Sequence, residues 1–247
     1  MLNQITIFVE GEGGVGKTTV LQDLLDYGWE VAPELPTLFP CQPWFNLLND
    51  TDKHSQIQGQ QHFLHMEVKR YSTAIKTNAL RLAFDRSFFS TLAYSYAMEQ
   101  YWCNDVYEST LSLLFDMLEC KYLRIPHLLV MLEAPLTVRQ QRCLRRDSRM
   151  DVYAHDMADS ELHRSGVFAD ALTHFYSLLP DRIDQFFPFV RIKSADVTTQ
   201  EIALLIHRMT SQIESTPSDP PLASLLNALN NPSAWERYDG IPEIGGD

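Results

Sequence analysis

Gly11-Glu12-Gly13-Gly14-Val15-Gly16-Lys17-Thr18 satisfies the pattern G-x-x-x-x-G-K-[ST] at every fixed position. The chemistry of that spacing is phosphate binding. Glycines let consecutive backbone N–H groups turn inward around anionic oxygens, and a helix opening at the lysine adds the positive end of its dipole. Lys17 supplies a point charge between β- and γ-phosphates, Thr18 offers a hydroxyl to Mg²⁺, and Thr19 follows in the same turn. The pattern predicts a nucleoside triphosphate site, with ATP and Mg²⁺ as cofactors, provided that a strand leads into the loop and a helix leaves it.

Two more groups of residues carry chemistry. Leu80-Arg81-Leu82-Ala83-Phe84-Asp85-Arg86-Ser87 sets an acid beside a base at the end of an apolar run. Ligands of open parallel sheets bind at the carboxyl ends of strands, so Asp85 and Arg86 are expected to face the Gly11–Thr18 loop. Asp85 would hold a metal-bound water or accept from a substrate hydroxyl, and Arg86 would grip a phosphate; a strand-end salt bridge is the plainer alternative. Arg139, Arg142, Arg145, Arg146 and Arg149 put five of the 20 basic residues into eleven positions. The last four fall at i, i+3, i+4 and i+7, one face of a helix, where like charges each cost about 0.2–0.5 kcal/mol. Such a stripe needs an anionic counterpart, and arginine's planar fork suits phosphate. A solvated helix end paired with Asp151, Asp156 and Asp159 is the other reading. On the acceptor side stand Glu34, Trp44 and Phe45. Gln60, Gln61, His62, Glu67 and Arg70 either line the acceptor pocket or form ordinary helix surface.

These residues need a scaffold, and apolar periodicity supplies one. Ile5–Glu10 predicts a strand, and Val20, Leu21, Leu24 and Leu25 within Lys17–Tyr27 have helical spacing. Further strands are expected at Trp29–Ala32, Leu80–Asp85, His127–Glu133 and Phe189–Lys193. Helices are expected at Gln56–Thr77, Ser90–Met98, Ser109–Glu119, from Thr137, from Ser160 to Leu179, and at Thr198–Glu214. The three prolines in Pro36–Pro43 predict an irregular loop. Strands alternating with helices imply an α/β fold: a five-stranded parallel sheet between two helical layers. The expected domain spans residues 1–214, with an arginine-rich lid at about 139–160. Residues 215–247 hold five of the 13 prolines and one basic residue, and read as an acidic tail carrying a short helix, Leu222–Leu229. Trp235 and Tyr238 either anchor that tail or leave it mobile.

The chain has 247 residues, 45% hydrophobic and 21% charged, with a net charge of −12. That acidity disfavours a protein that coats nucleic acid, which needs a basic face. The best apolar run, His127–Leu132, is far short of the roughly 20 residues of a spanning helix, and the N-terminus lacks the features of a signal peptide. Cys41, Cys103, Cys120 and Cys143 are scattered and expected to be reduced thiols. A soluble cytoplasmic protein with no membrane or nucleic-acid partner is the expectation.

Asp85-Arg86-Ser87-Phe88-Phe89-Ser90-Thr91-Leu92-Ala93-Tyr94 resembles the D-R-[YH]-x-x-S-x-x-A-Y segment of thymidylate kinases, and is similar to the E-R-S-x-x-S segment of deoxynucleoside kinases. With the phosphate loop, Leu132-Glu133-Ala134-Pro135 and the arginine stripe, the resemblance spans about Ile5 to Ala195. The thymidylate-kinase E-P-G-G-T stretch is absent; Pro33-Glu34-Leu35-Pro36 stands there, nearer the deoxynucleoside-kinase E-x-P. The resemblance implies a P-loop NTPase fold, a mobile lid and commonly a homodimer. It makes Glu34 the base for a hydroxyl acceptor. It also places Arg142 and Arg146 in phosphoryl transfer, with Arg145 and Arg149 on the nucleotide.

The sequence is compatible with two functions. One is an ATP- and Mg²⁺-dependent kinase of a nucleoside, nucleoside monophosphate or similar small molecule. The other is a regulatory P-loop ATPase whose nucleotide state controls a partner interaction. A hydroxyl acceptor profits from a base, whereas a monophosphate is already ionised and needs arginines.

Overall fold

The apolar run Ile5–Val9 forms most of β1 (Ile5–Glu10), the middle strand of a five-stranded sheet. The sheet is completed by β2 (Glu30–Ala32), β3 (Arg81–Asp85), β4 (Leu128–Glu133) and β5 (Phe189–Lys193). Their order is β2-β3-β1-β4-β5 and every neighbouring pair is parallel. The structure is a computed structural model and describes residues 4–39, 47, 50, 52–102, 104–147, 166–213 and 222–230. Trp44, Phe45, Arg149, Trp235, Tyr238, Cys41 and Cys103, and the lid beyond residue 147, lie outside the described residues.

Parallel strands buried on both faces read as continuous apolar runs, and β1 shows how one run serves two layers. Ile7 and Val9 point to one face, against Val20, Leu21 and Leu24 of α1 (Lys17–Leu24) and Ile202, Ala203 and Ile206 of α8 (Thr199–Thr210). Phe8 points to the other, into a cluster with Phe84, Phe88, Phe89 and Leu92. That cluster is built on α3 (Lys53–Ala74), α4 (Phe88–Trp102), α5 (Val106–Glu119) and α7 (Gly166–Ile183). Each Val, Leu, Ile or Phe among them contributes roughly 1.5–3 kcal/mol on burial. The three-layer α/β/α architecture is the one expected from the sequence.

The differences are local and have physical causes. Leu35–Leu38, overlapping the start of the Pro36–Pro43 stretch expected to be irregular, is a short helix, α2, with Glu34 at its N-cap and Pro36 in its first turn. Proline is tolerated there because the first turn's N–H groups have no intrahelical acceptor. α6 (Leu136–Asp147) starts directly after Pro135. α9 (Leu222–Leu229) packs on α5 and α7 with Leu225 and Leu229 each 1% exposed, and Tyr107 Oη donates to the Leu229 carbonyl at 3.0 Å. This helix belongs to the core. Cys120 and Cys143 are free thiols. Among the described residues no helix is long and apolar enough to cross a membrane.

Candidate active site

β1 ends in the phosphate loop, and the loop's backbone leaves no room for side chains at two positions. Gly11 has φ +129°, and a Cβ there would stand 2.3 Å from the Leu132 carbonyl oxygen of β4. Gly14 has φ +79°, and a Cβ would meet the Arg139 carbonyl oxygen at 2.6 Å. Gly16, at the N-cap of α1, brings no side-chain cap, so the first N–H groups of that helix remain for an anion. Lys17 is folded back on the loop. Its Nζ donates to the carbonyls of Gly11 and Glu12, both at 2.8 Å. Burial, reinforced by the Arg86 guanidinium, lowers its pKa to about 7.

At the end of β3, Asp85 Oδ2 accepts from Thr18 Oγ1 at 2.7 Å. Its other oxygen, Oδ1, is buried without a hydrogen-bond partner. Burial pushes the carboxyl above its usual value. A buried carboxylate oxygen left unpaired is unfavourable. Beside a threonine hydroxyl it presents the hard oxygen donors that Mg²⁺ takes together with phosphate oxygens and water. The residues present therefore fit this cofactor. Among the described residues no cluster of three or more His, Cys, Asp or Glu is arranged to hold a metal.

Arg86 diverges from Asp85 because its backbone is left-handed, φ 63°. Its N–H closes on the Val9 carbonyl at 3.0 Å. Its Nε donates to Glu34 Oε2 at 3.0 Å, and one terminal nitrogen to the Gly11 carbonyl and Ser90 Oγ, both at 3.3 Å. Glu34 makes no side-chain cap to α2, so its carboxylate turns to Arg86 instead. The structure thus brings together the loop, Lys17, Thr18, Asp85, Arg86 and Glu34. Gly13, Thr18 and Thr19 are exposed and Val15 is buried.

Arg139 and Arg142 engage the phosphate loop itself. Arg139 pairs with Glu12, whose Oε2 also accepts from Thr173 Oγ1 of α7 at 2.9 Å. Arg142 donates to the carbonyls of Val15 and Ser194, both at 3.0 Å, and of Gly14 at 3.3 Å. It therefore braces the carbonyl side of the phosphate loop, opposite in polarity to the N–H side that takes phosphate. Arg145 is exposed. The Arg146 side chain, like Arg149, lies outside the described residues. Of the α3 candidates, Gln60, Glu67 and Arg70 are buried, while Gln61 and His62 are exposed.

One residue escaped the sequence reading. Glu10 is fully buried, accepting from Ser87 Oγ at 2.6 Å, Ser90 Oγ at 2.7 Å and Tyr176 Oη at 3.3 Å. It ties the start of the phosphate loop to α4 and α7. The available signal was an acid closing an apolar strand immediately before the glycines.

A glycine loop between a central parallel strand and a helix, with the β3 acid on the adjacent threonine, defines the P-loop NTPase fold. Residues 6–165 match the AAA_28 family model, described as an AAA domain, and the chain belongs to that family. No curated protein matches the chain. Among solved structures it is similar to M. mycoides deoxyadenosine kinase with bound dCTP, at a TM-score of 0.62 and 16% identity over 84% of this chain and 100% of that one. The same enzyme with bound dATP gives the same values. With products dCMP and a flexible dCDP, 99% of that chain is covered at the same TM-score and identity. At this identity the likeness is one of fold.

Proposed function

We propose that the protein is an ATP- and Mg²⁺-dependent kinase that transfers a phosphoryl group to a hydroxyl of a nucleoside or similar small molecule. The observation that carries this reading is the Glu34–Arg86 ion pair beside the Lys17–Asp85 group. The charges of Arg86, Asp85, Glu34 and Glu10 all act on Lys17. Phosphoryl transfer needs positioning and charge neutralisation more than covalent chemistry, and both are built in. The loop N–H groups and the start of α1 hold the phosphates. Lys17, leaving the carbonyls of Gly11 and Glu12, gives its ammonium to the triphosphate. Thr18 and Asp85 would hold Mg²⁺, which supplies charge neutralisation at the phosphates. Glu34, oriented by Arg86, takes the proton of the acceptor hydroxyl as its oxygen attacks the γ-phosphorus; the β–γ bridging bond breaks and ADP leaves. Arg146 and Arg149 are proposed to reach the phosphates, since Arg139 and Arg142 are engaged with the loop itself.

Support for a nucleoside acceptor comes from the structural neighbour, a deoxyadenosine kinase with bound dATP and dCTP and with dCMP as a product. A cytoplasmic homodimer without nucleic-acid or membrane partners completes the proposal. The test is ADP production with nucleosides, with nucleoside monophosphates and with no acceptor. Turnover with nucleosides is expected. Turnover with monophosphates alone would remove Glu34 as base, and slow hydrolysis independent of acceptor would indicate a regulatory ATPase.

A further inference from the structure

Arg70, on α3, spends all five of its N–H groups inside the protein. Nε and one terminal nitrogen hold Glu67, at 3.0 Å to Oε2 and at 2.9 and 2.7 Å to Oε1 and Oε2. That terminal nitrogen also donates to the Arg86 carbonyl at 2.8 Å, and the other donates to the carbonyls of Pro33 at 2.9 Å and Asp85 at 2.8 Å, three carbonyls at the carboxyl ends of β2 and β3. All three lie beyond the last ladder pair of these strands, Ala32 with Phe84. The guanidinium also lies 5.1 Å from the centre of the Phe84 ring. Glu67 and Arg70 are 5% and 3% exposed.

The two carbonyls of residues 85 and 86 flank the φ and ψ of Arg86, the residue held at φ 63°. Fixing both peptide planes fixes that left-handed turn, a conformation a β-carbon disfavours. The turn sends the Asp85 side chain to Thr18 and the Arg86 side chain to Glu34. The third carbonyl, Pro33, is the residue before Glu34. One side chain therefore sets the backbone under the metal-side acid, the arginine and the base. A lysine keeps the charge but not the fork: it is a point donor on a flexible stem, without five N–H groups in one plane.

The geometry points to Arg70 as the positioning residue of the site, with Glu67 holding its guanidinium, acting on catalysis through Asp85, Arg86 and Glu34 without touching substrate. This assignment deepens the kinase reading, and one arm of its test does not depend on it. Nucleotide binding to the wild type, R70K and E67Q is measured by calorimetry with ATP in EDTA and with ATP plus Mg²⁺. Thermal unfolding is followed in parallel. R70K should stay folded and bind metal-free ATP within about twofold of wild type, because the hydrogen bonds of Arg70 go to neither the phosphate-binding N–H groups of the loop nor those of α1. Its gain in affinity on adding Mg²⁺ should fall about tenfold, and E67Q should show the same loss in milder form. In the turnover arm, kcat should fall at least tenfold in R70K with the KM for ATP within twofold, since misplaced groups act in the transition state. A folded R70K with wild-type Mg²⁺ dependence and kcat would overturn the assignment. Unfolding of both variants would make the pair a structural element only, and would overturn it too. If the wild type binds ATP with Mg²⁺ yet phosphorylates no acceptor, the kinase reading fails and the binding arm still decides the role of Arg70.

Discussion

Thr18 Oγ1 donates to Asp85 Oδ2 across 2.7 Å, joining the first turn of α1 to the last residue of β3. The pair leaves Asp85 Oδ1 buried and unmatched. Asp85→Asn keeps the shape and a partner for Thr18 while removing a charge that burial opposes. The expected result is a melting temperature equal to or above wild type, with kcat lowered a hundredfold or more. Differential scanning calorimetry and steady-state rates test both halves, and a stable variant with full kcat would sink the metal-side role.

Lys17 has a pKa of about 7 in the ligand-free loop, lowered chiefly by burial. A bound triphosphate raises it again by offering opposite charge. Above pH 7 the free protein carries a largely neutral Lys17, so binding must take up a proton, approaching one at pH 8 and little at pH 6. Affinity should accordingly decline as pH rises above 7. Calorimetry at pH 8 in buffers of different ionisation enthalpy reads the uptake directly, and Lys17→Met should abolish it.

Arg142 and Arg145 separate bracing from surface. Arg142→Ala leaves the carbonyls of Val15, Gly14 and Ser194 without that donor. The expected cost is about 1.5–3 kcal/mol of stability, with weaker ATP binding as the loop loosens. Arg145→Ala, on the exposed side, should stay within about 0.5 kcal/mol. Chemical denaturation of both variants gives the comparison, and equal stability would return Arg142 to the surface reading.

Removal of residues 214–247 takes away α9 and uncovers the surface that Leu225 and Leu229 bury. The truncated chain should melt well below the full one, and Leu225→Ala alone should cost about 2–5 kcal/mol. A truncated protein of unchanged melting temperature would put α9 outside the core after all.

The sequence showed the sheet because each strand is a short, mostly apolar or β-branched run, a local signal that is plainest in β1 and β4. It showed the phosphate loop because geometry there depends on glycines at fixed spacing. Trp29, Leu80 and His127 were read as the first residues of β2, β3 and β4, and each strand begins one residue later, as ends of elements commonly vary. The positioning by Arg70, the anchoring of Glu10 and the bracing by Arg142 were not legible, because the backbone carbonyls and hydroxyls they bind beyond their own elements are brought close by tertiary packing. α9 was read as a helix from Leu222, but its burial depends on the faces of α5 and α7, which periodicity does not pair.

The central place of β1 also has a consequence for how the protein acquires its activity. β1 is made first, yet it is hydrogen-bonded on one side to residues 81–85 and on the other to residues 128–131. Parallel pairings so distant along the chain must close long loops before any ladder forms, which slows folding. A segment comprising only the loop and α1 has no sheet to hang from. The triphosphate cradle is therefore a late product of folding, and capture of nucleotide by a refolding chain reports that the sheet has closed rather than that its first strand exists.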